Sequence, residues 1–161
     1  MLFRSNVAVT GALTVTSGGT QNQAAGATMN VGGVATFNAA ANAITFNNAG
    51  NDFATVNIAA GGATTLVDAN GLNIGTSALG AANLTVTATG NVGFSGAVTA
   101  GNLSVTTNNA GSVTQGAALT VAGTSTFNAG SAGDVTLDAV TNNFGTVTIT
   151  RARNVAVKDF N

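Results

Sequence analysis

Nine side chains in this 161-residue sequence can carry charge: Asp52, Asp68, Asp134, Asp138 and Asp159, with Arg4, Arg151, Arg153 and Lys158. Histidine, cysteine and glutamate are absent. General acid–base catalysis needs a titratable group held against a partner in a cleft. The closest pair in sequence is Asp134 and Asp138 in "DVTLD". On a strand these share one face about 13 Å apart, wider than the carboxylate separation of glycoside hydrolysis. Carboxylates converging from neighbouring coils would be needed for a hydrolase, and solvated or turn aspartates are the simpler reading.

The other chemical motifs are weaker. "DANG" at Asp68–Gly71 resembles the start of a calcium loop, but no second carboxylate or bidentate glutamate follows, so it reads as a turn. "GAANLTVTATGNVGFSG" spaces its glycines suggestively, yet lacks a phosphate-binding lysine and a following helix. The many Ser and Thr hydroxyls have no base to activate them. No catalytic, cofactor-binding or metal-binding residue is therefore assigned, no cofactor is expected, and the chain is read as not an enzyme.

Thr-x-Thr pieces at Thr14/Thr16, Thr85/Thr87, Thr146/Thr148 and Thr148/Thr150 raise an ice-binding solenoid, which needs such a pair on every coil. The comparable positions of the other strand-like phrases are Asn30, Thr45, Ser104, Thr120 and Thr136, usually followed by a different residue, so strand propensity accounts for them better. Asparagine clusters at corners and after strands, as in Asn38/Asn128 and Asn51/Asn142, where amide ladders between coils would satisfy its side chains. "RARNVAVKDF" at Arg151–Phe160 is read as one charged coil rather than a binding patch.

Behind these residues stands an unusual composition. Only 6% of residues are charged, against about a quarter in a typical domain, while 45% are apolar and the net charge is −1. Such a chain can bury a core and is not disordered through charge. It offers no electrostatic footprint for nucleic acid. Thr, Asn and Gly interrupt every apolar stretch before the roughly 18 residues of a membrane span, so no membrane insertion is expected. The opening "MLFRSNVAVTG" lacks the apolar run of a signal peptide. Codons ATG CTC TTC CGA TCT would encode Met1–Ser5 and resemble a sequencing adapter, which favours a fragment of a longer repeat protein.

The chain repeats itself. Gly11–Ile58 aligned with Gly101–Ile149, with one residue inserted near Gly133, gives 18 identities in 48 positions, among them Phe37/Phe127, Asn38/Asn128 and Phe53/Phe144. The domain is thus read as a single segment, 1–161, of two super-repeats of about 90 residues, 11–100 and 101–161, the second incomplete. Within each lies a shorter rhythm of phrases such as "LTVTS", "MNVGG", "ITFNN", "LTVTA" and "LSVTT", mostly 15 to 20 residues apart, each read as one turn. Apolar and polar residues alternate within them, and Gly or Asn supplies the corners. Many short strands in recurring register with no helix between them predict an all-β, right-handed parallel β-helix (β-solenoid) of about eight coils, a rod of roughly 40 Å. Phe37, Phe46, Phe53, Phe127 and Phe144 are expected in its interior with Val, Leu and Ile.

With "NDFATVNI", "DANGLNIGTSAL", "NLTVTATGNV", "LTVAGTSTFNAG" and "NNFGTVTI" assembled, the chain resembles, from about Val7 onward, the repeat region of filamentous haemagglutinin-like bacterial exoproteins, the adhesins of two-partner secretion. That resemblance implies a secreted location at the bacterial cell surface and a non-catalytic shaft segment. It also implies the neighbouring coils of a longer parent as partners, with host-cell or surface glycans or proteins as targets. A fragment of a β-helical carbohydrate-active enzyme and a self-associating or ice-binding solenoid are the alternatives. Neither terminus shows a polar or helical cap, so end-to-end self-association is expected as well.

Overall fold

A computed structural model of the chain describes residues 1–108 and 110–160. Eighteen strands, and no helix among the described residues, wind into a β-solenoid in which every strand pairing is parallel. The first eight are β1 (Leu2–Phe3), β2 (Val7–Val9), β3 (Leu13–Thr16), β4 (Gln21–Gln23), β5 (Met29–Asn38), β6 (Ile44–Phe46), β7 (Asp52–Ala60) and β8 (Thr64–Asp68). Two more, β9 (Leu72–Ala78) and β10 (Leu84–Ala88), complete a unit of ten strands, its start some ten residues ahead of the bounds 11–100 read from the sequence. The pattern of the first eight then recurs as β11 (Val92–Phe94), β12 (Val98–Ala100), β13 (Leu103–Thr107), β14 (Val113–Gln115), β15 (Leu119–Asn128), β16 (Val135–Leu137), β17 (Asn143–Arg151) and β18 (Val155–Val157).

Alternation dictates which side chains turn inward. In β5 and β15 the same sequence of buried and open positions appears, with Met29/Leu119, Val31/Val121, Ala35/Ser125 and Phe37/Phe127 enclosed. All five phenylalanines expected in the interior are at most 3% exposed, and Phe94 joins them. Around Phe46 the rings form a cluster: Phe37 lies 4.6 Å away between centroids, Phe3 5.9 Å and Phe53 6.2 Å. In the second copy Leu137 takes the place of Phe46.

Directly stacked residues lie 18 to 23 positions apart, as in Val56 on Ile74 and Gln21 on Ile44, giving about seven turns rather than eight. The phrase rhythm gives a true turn at Leu84 and Leu103, which stack on one another, while the phrase "TLVDA" at Thr65 starts one residue late, since Leu84 stacks on Thr64. It fails at Leu13, Met29 and Ile44, which pair respectively with Ala35, Val7 and Gln21. Each turn has several strand segments with the same alternation, so spacing between similar phrases can measure the step from one side to the next.

The super-repeat does not close on a whole number of turns. Val15 stacks through Phe37, Ile58 and Ser77 to Val98, four turns in 83 residues, whereas its sequence equivalent Val105 lies seven residues further on. Val105 instead stacks on Val86. The second copy is thus rotated by about a third of a turn about the solenoid axis, and equivalent residues of the two copies face different directions.

The duplicated phrases at Gly33 and Gly123 show why glycine is needed there. A Cβ on Gly33 would lie 2.6 Å from the Gly11 carbonyl carbon, and one on Gly123 would lie 2.8 Å from the Gly101 carbonyl oxygen. Both glycines let the backbone bend against the turn beneath it, at the register shifts of β5 on β7 and β15 on β17.

Candidate functional site

One side of the solenoid carries a column of hydroxyls. It begins above the amide of Asn22 and runs Thr45, Thr65, Thr85, Ser104, Thr126 and Thr148, each residue from Asn22 on the direct neighbour of the next through β4, β6, β8, β10, β13, β15 and β17. No shift interrupts the pairing from Ile44 to Thr126. Between them the inward positions are filled by Phe46, Leu66, Val86, Val105 and Phe127, all buried, so the opposite alternation turns the hydroxyls out. Thr45 to Thr126 are half-buried by their neighbours and Thr148 is exposed.

Two flanking columns complete the face. Two residues later in the strands come Val67, Thr87, Thr106 and Asn128, again in register. On the other flank stand Asn83, Asn102, Thr124 and Thr146. Asn102 Nδ2 donates to Asn83 Oδ1 at 2.9 Å, and its Oδ1 accepts from the Thr124 amide at 2.8 Å. A shallow trough runs between the Asn83, Asn102, Thr124 flank and Thr85, Ser104, Thr126.

This recurrence corrects the sequence comparison of Thr-x-Thr pieces. Asn30 pairs with Ala8 and Asp52, Thr120 with Thr99 and Asn143, and Thr136 with Ala156, so these positions belong to other sides. Superposing the super-repeats also conceals the face, because its lower half uses Thr45, Thr65 and Thr85 and its upper half uses the equivalents of Thr14, Thr36 and Asn57.

The amides have different tasks. Asn51 and Asn142 are fully buried. Asn51 Oδ1 accepts from Gln23 Nε2 at 2.7 Å and from the Met29 amide at 2.9 Å, while its Nδ2 donates to Gln23 Oε1 at 2.9 Å. In the second copy Gln115 Nε2 donates to Asn142 Oδ1, Asn142 Nδ2 returns a 3.0 Å bond to Gln115 Oε1, and the Leu119 amide donates to Asn142 Oδ1 at 3.0 Å. Sequence alignment missed the Gln23/Gln115 equivalence because it placed Val113 against Gln23; the step from Leu13 to Gln21 is two residues shorter than that from Leu103 to Val113, and the loop after β4 is two residues longer than that after β14. The expected ladder between coils occurs at Asn83 and Asn102. Asn38 and Asn128 instead accept from the backbone two residues on, at Ala40 (3.0 Å) and Gly130 (3.1 Å), closing their own turns.

The aspartates are also dispersed. Asp68, almost fully buried, accepts from the Phe53 amide at 2.7 Å and the Asn70 amide at 2.8 Å, the latter making "DANG" a turn. Burial pushes its carboxyl above the usual carboxylate range, assisted by the nearby charge of Asp52 and opposed by both hydrogen bonds. Its equivalent Asp159 accepts from the Phe144 amide at 3.1 Å. Asp134 forms a bidentate pair with Arg153, 2.9 Å to Nε and 2.7 Å to Nη2, and that hydrogen bond holds its carboxyl below the ordinary range. Asp138 is exposed. No group of three or more metal-ligating side chains assembles among the described residues.

Stacked parallel strands, a repeated amide pair and an outer column in continuous register define a β-solenoid repeat protein. The chain belongs to the family described as repeats of unknown function (DUF5649), which it matches over residues 5–60 and 93–151. No curated protein and no solved structure gives a significant match.

Proposed function

We propose that the chain is a non-catalytic shaft segment of a secreted or cell-surface bacterial adhesin, which spaces and displays binding elements along an extended coil. The observation that supports this reading is the recurrence of eight strands of a ten-strand unit, with the second copy rotated by about a third of a turn. An enzyme needs a single well-formed site, whereas a shaft needs units that join without a break. The aspartates support it too: Asp68 and Asp159 bond the backbone at corners, and Asp134 is engaged by Arg153. Rotation of the second copy would direct equivalent surface positions to different sides, suiting contacts spread around a shaft. Neighbouring coils of a longer parent are the primary partners, with surface glycans or proteins as targets.

The test is to raise antibodies against the folded chain and apply them to intact cells of the bacterium that carries its gene. Surface labelling, lost after protease shaving and accompanied by reduced attachment when the gene is deleted, is expected. Labelling that appears only after cell lysis would overturn the proposal.

A further inference from the structure

We propose that the face built on Thr45, Thr65, Thr85, Ser104, Thr126 and Thr148 binds ice. This does not depend on the adhesin reading. Threonine offers a hydroxyl and a methyl from a β-branched carbon with few rotamers, so the backbone fixes where both groups point. Adjacent strands repeat about every 4.8 Å and alternate residues about every 6.6 Å, so the central column and its flanks form a two-dimensional lattice. A lattice of weak contacts is ineffective for one soluble molecule. It is effective for a crystal surface, where many contacts form together and release requires losing all of them.

The chemistry of the face selects the crystal. Its columns carry no ionised side chain over the turns from Thr45 to Thr126, and Arg151 enters only beside Asn128 on the last turn. That excludes a charged mineral as the preferred occupant. Crystalline polysaccharide would favour aromatic platforms, but the rings beneath this face, Phe46 and Phe127, are fully buried. What remains is an array of neutral donors and acceptors separated by methyl groups, with an open trough between two columns where a row of water can be held. The backbone ladders order this array before binding, which lowers the entropic cost of adsorption.

The test uses the 161-residue chain, ice-affinity partitioning and microscopy of growing ice crystals. Thr85→Lys and Thr126→Lys disrupt the central column, and Thr120→Lys places the same bulk on an exposed position of another side. Circular dichroism and Tm establish that each variant is folded; two face variants are included so that one can be read if the other does not fold. The original chain should enter the ice fraction and facet the crystals. A folded face variant should lose at least about tenfold in partitioning, and Thr120→Lys should stay within about twofold. Exclusion of the original chain from ice, adsorption to microcrystalline cellulose in its place, or an equal loss with Thr120→Lys would overturn the proposal.

Discussion

Gln23 and Asn51, 28 residues apart, exchange two amide hydrogen bonds at 2.7 and 2.9 Å inside the solenoid. Asn51 is fully enclosed and Gln23 half-buried, and Asn51 also accepts from the buried Met29 amide. Gln115 and Asn142 repeat the arrangement. Removing Gln23 leaves the enclosed Asn51 amide short of partners, and removing Asn51 strands the buried Met29 amide. Asn51→Ala should therefore destabilise the chain by about 2–3 kcal/mol in urea unfolding, and Gln23→Ala added to it should cost much less than its own single effect. Additive losses would contradict the reciprocal pair.

Acidification should first stabilise the fold. The Asp68 carboxyl is raised by burial, so the folded chain takes up its proton more readily than the unfolded chain does. Stability should rise as pH falls from neutrality towards and through that raised pKa. Asp134 acts in the opposite sense: its contribution is present above the unfolded carboxylate pKa and is lost as pH falls through its depressed folded value. Denaturant titrations at a series of pH values should show the early rise in the original chain and its loss in Asp68→Asn. Persistence of the rise in the variant would assign it elsewhere.

Ala40 occupies a left-handed backbone conformation, φ 52°, at a turn where its equivalent Gly130 has φ 67°. An L side chain is strained there and glycine is not. Ala40→Gly is expected to stabilise the chain by about 0.5–1 kcal/mol, read as a higher Tm, despite the greater freedom glycine gives the unfolded state. A lower Tm would show that the Ala40 methyl contributes more than its strain costs.

Shortening Phe46 in the ring cluster of the first copy should have a graded cost. Phe46→Leu adopts the residue found at the equivalent Leu137 and should cost about 1 kcal/mol, while Phe46→Ala leaves a cavity beside Phe37 and should cost about 3–5 kcal/mol. Equal costs for the two variants would indicate that the rings around Phe46 do not pack as described.

Both terminal turns carry uncovered apolar side chains, Leu2 at 44% exposure on one and Val155 at 51% on the other. Open parallel edges of this kind template further pairing. Light scattering coupled to size exclusion should show concentration-dependent, end-to-end association of the isolated chain. A monomer that persists across a wide concentration range would count against it.

Fold class was legible in the sequence because alternation and recurring phenylalanines are local and survive duplication. Val31, Phe37 and Phe53 announce buried positions by their spacing alone. The length of a turn was not legible, since Leu13 and Met29 look like successive copies of one strand yet belong to different sides. The same ambiguity hid the hydroxyl face. Thr65 and Thr126 become members of one column only when the rotation between super-repeats is known. Asp68 and Asp159 could be matched as equivalents by extending the alignment past Ile149, but their roles depend on amides 15 residues earlier, brought close by the winding.

The register of that winding sets both the hydroxyl face and the rotation between super-repeats, and the absence of native cysteine makes it directly measurable. Adjacent positions in a parallel ladder lie about 4.8 Å apart, within disulfide reach. Ser104→Cys combined with Thr126→Cys should cross-link on mild oxidation, whereas Ser104→Cys combined with Thr120→Cys, which the phrase rhythm places one above the other, should remain reduced as monomer. Efficient intramolecular cross-linking of the second pair with none in the first would contradict the stacking on which the hydroxyl face and the rotated super-repeat both rest.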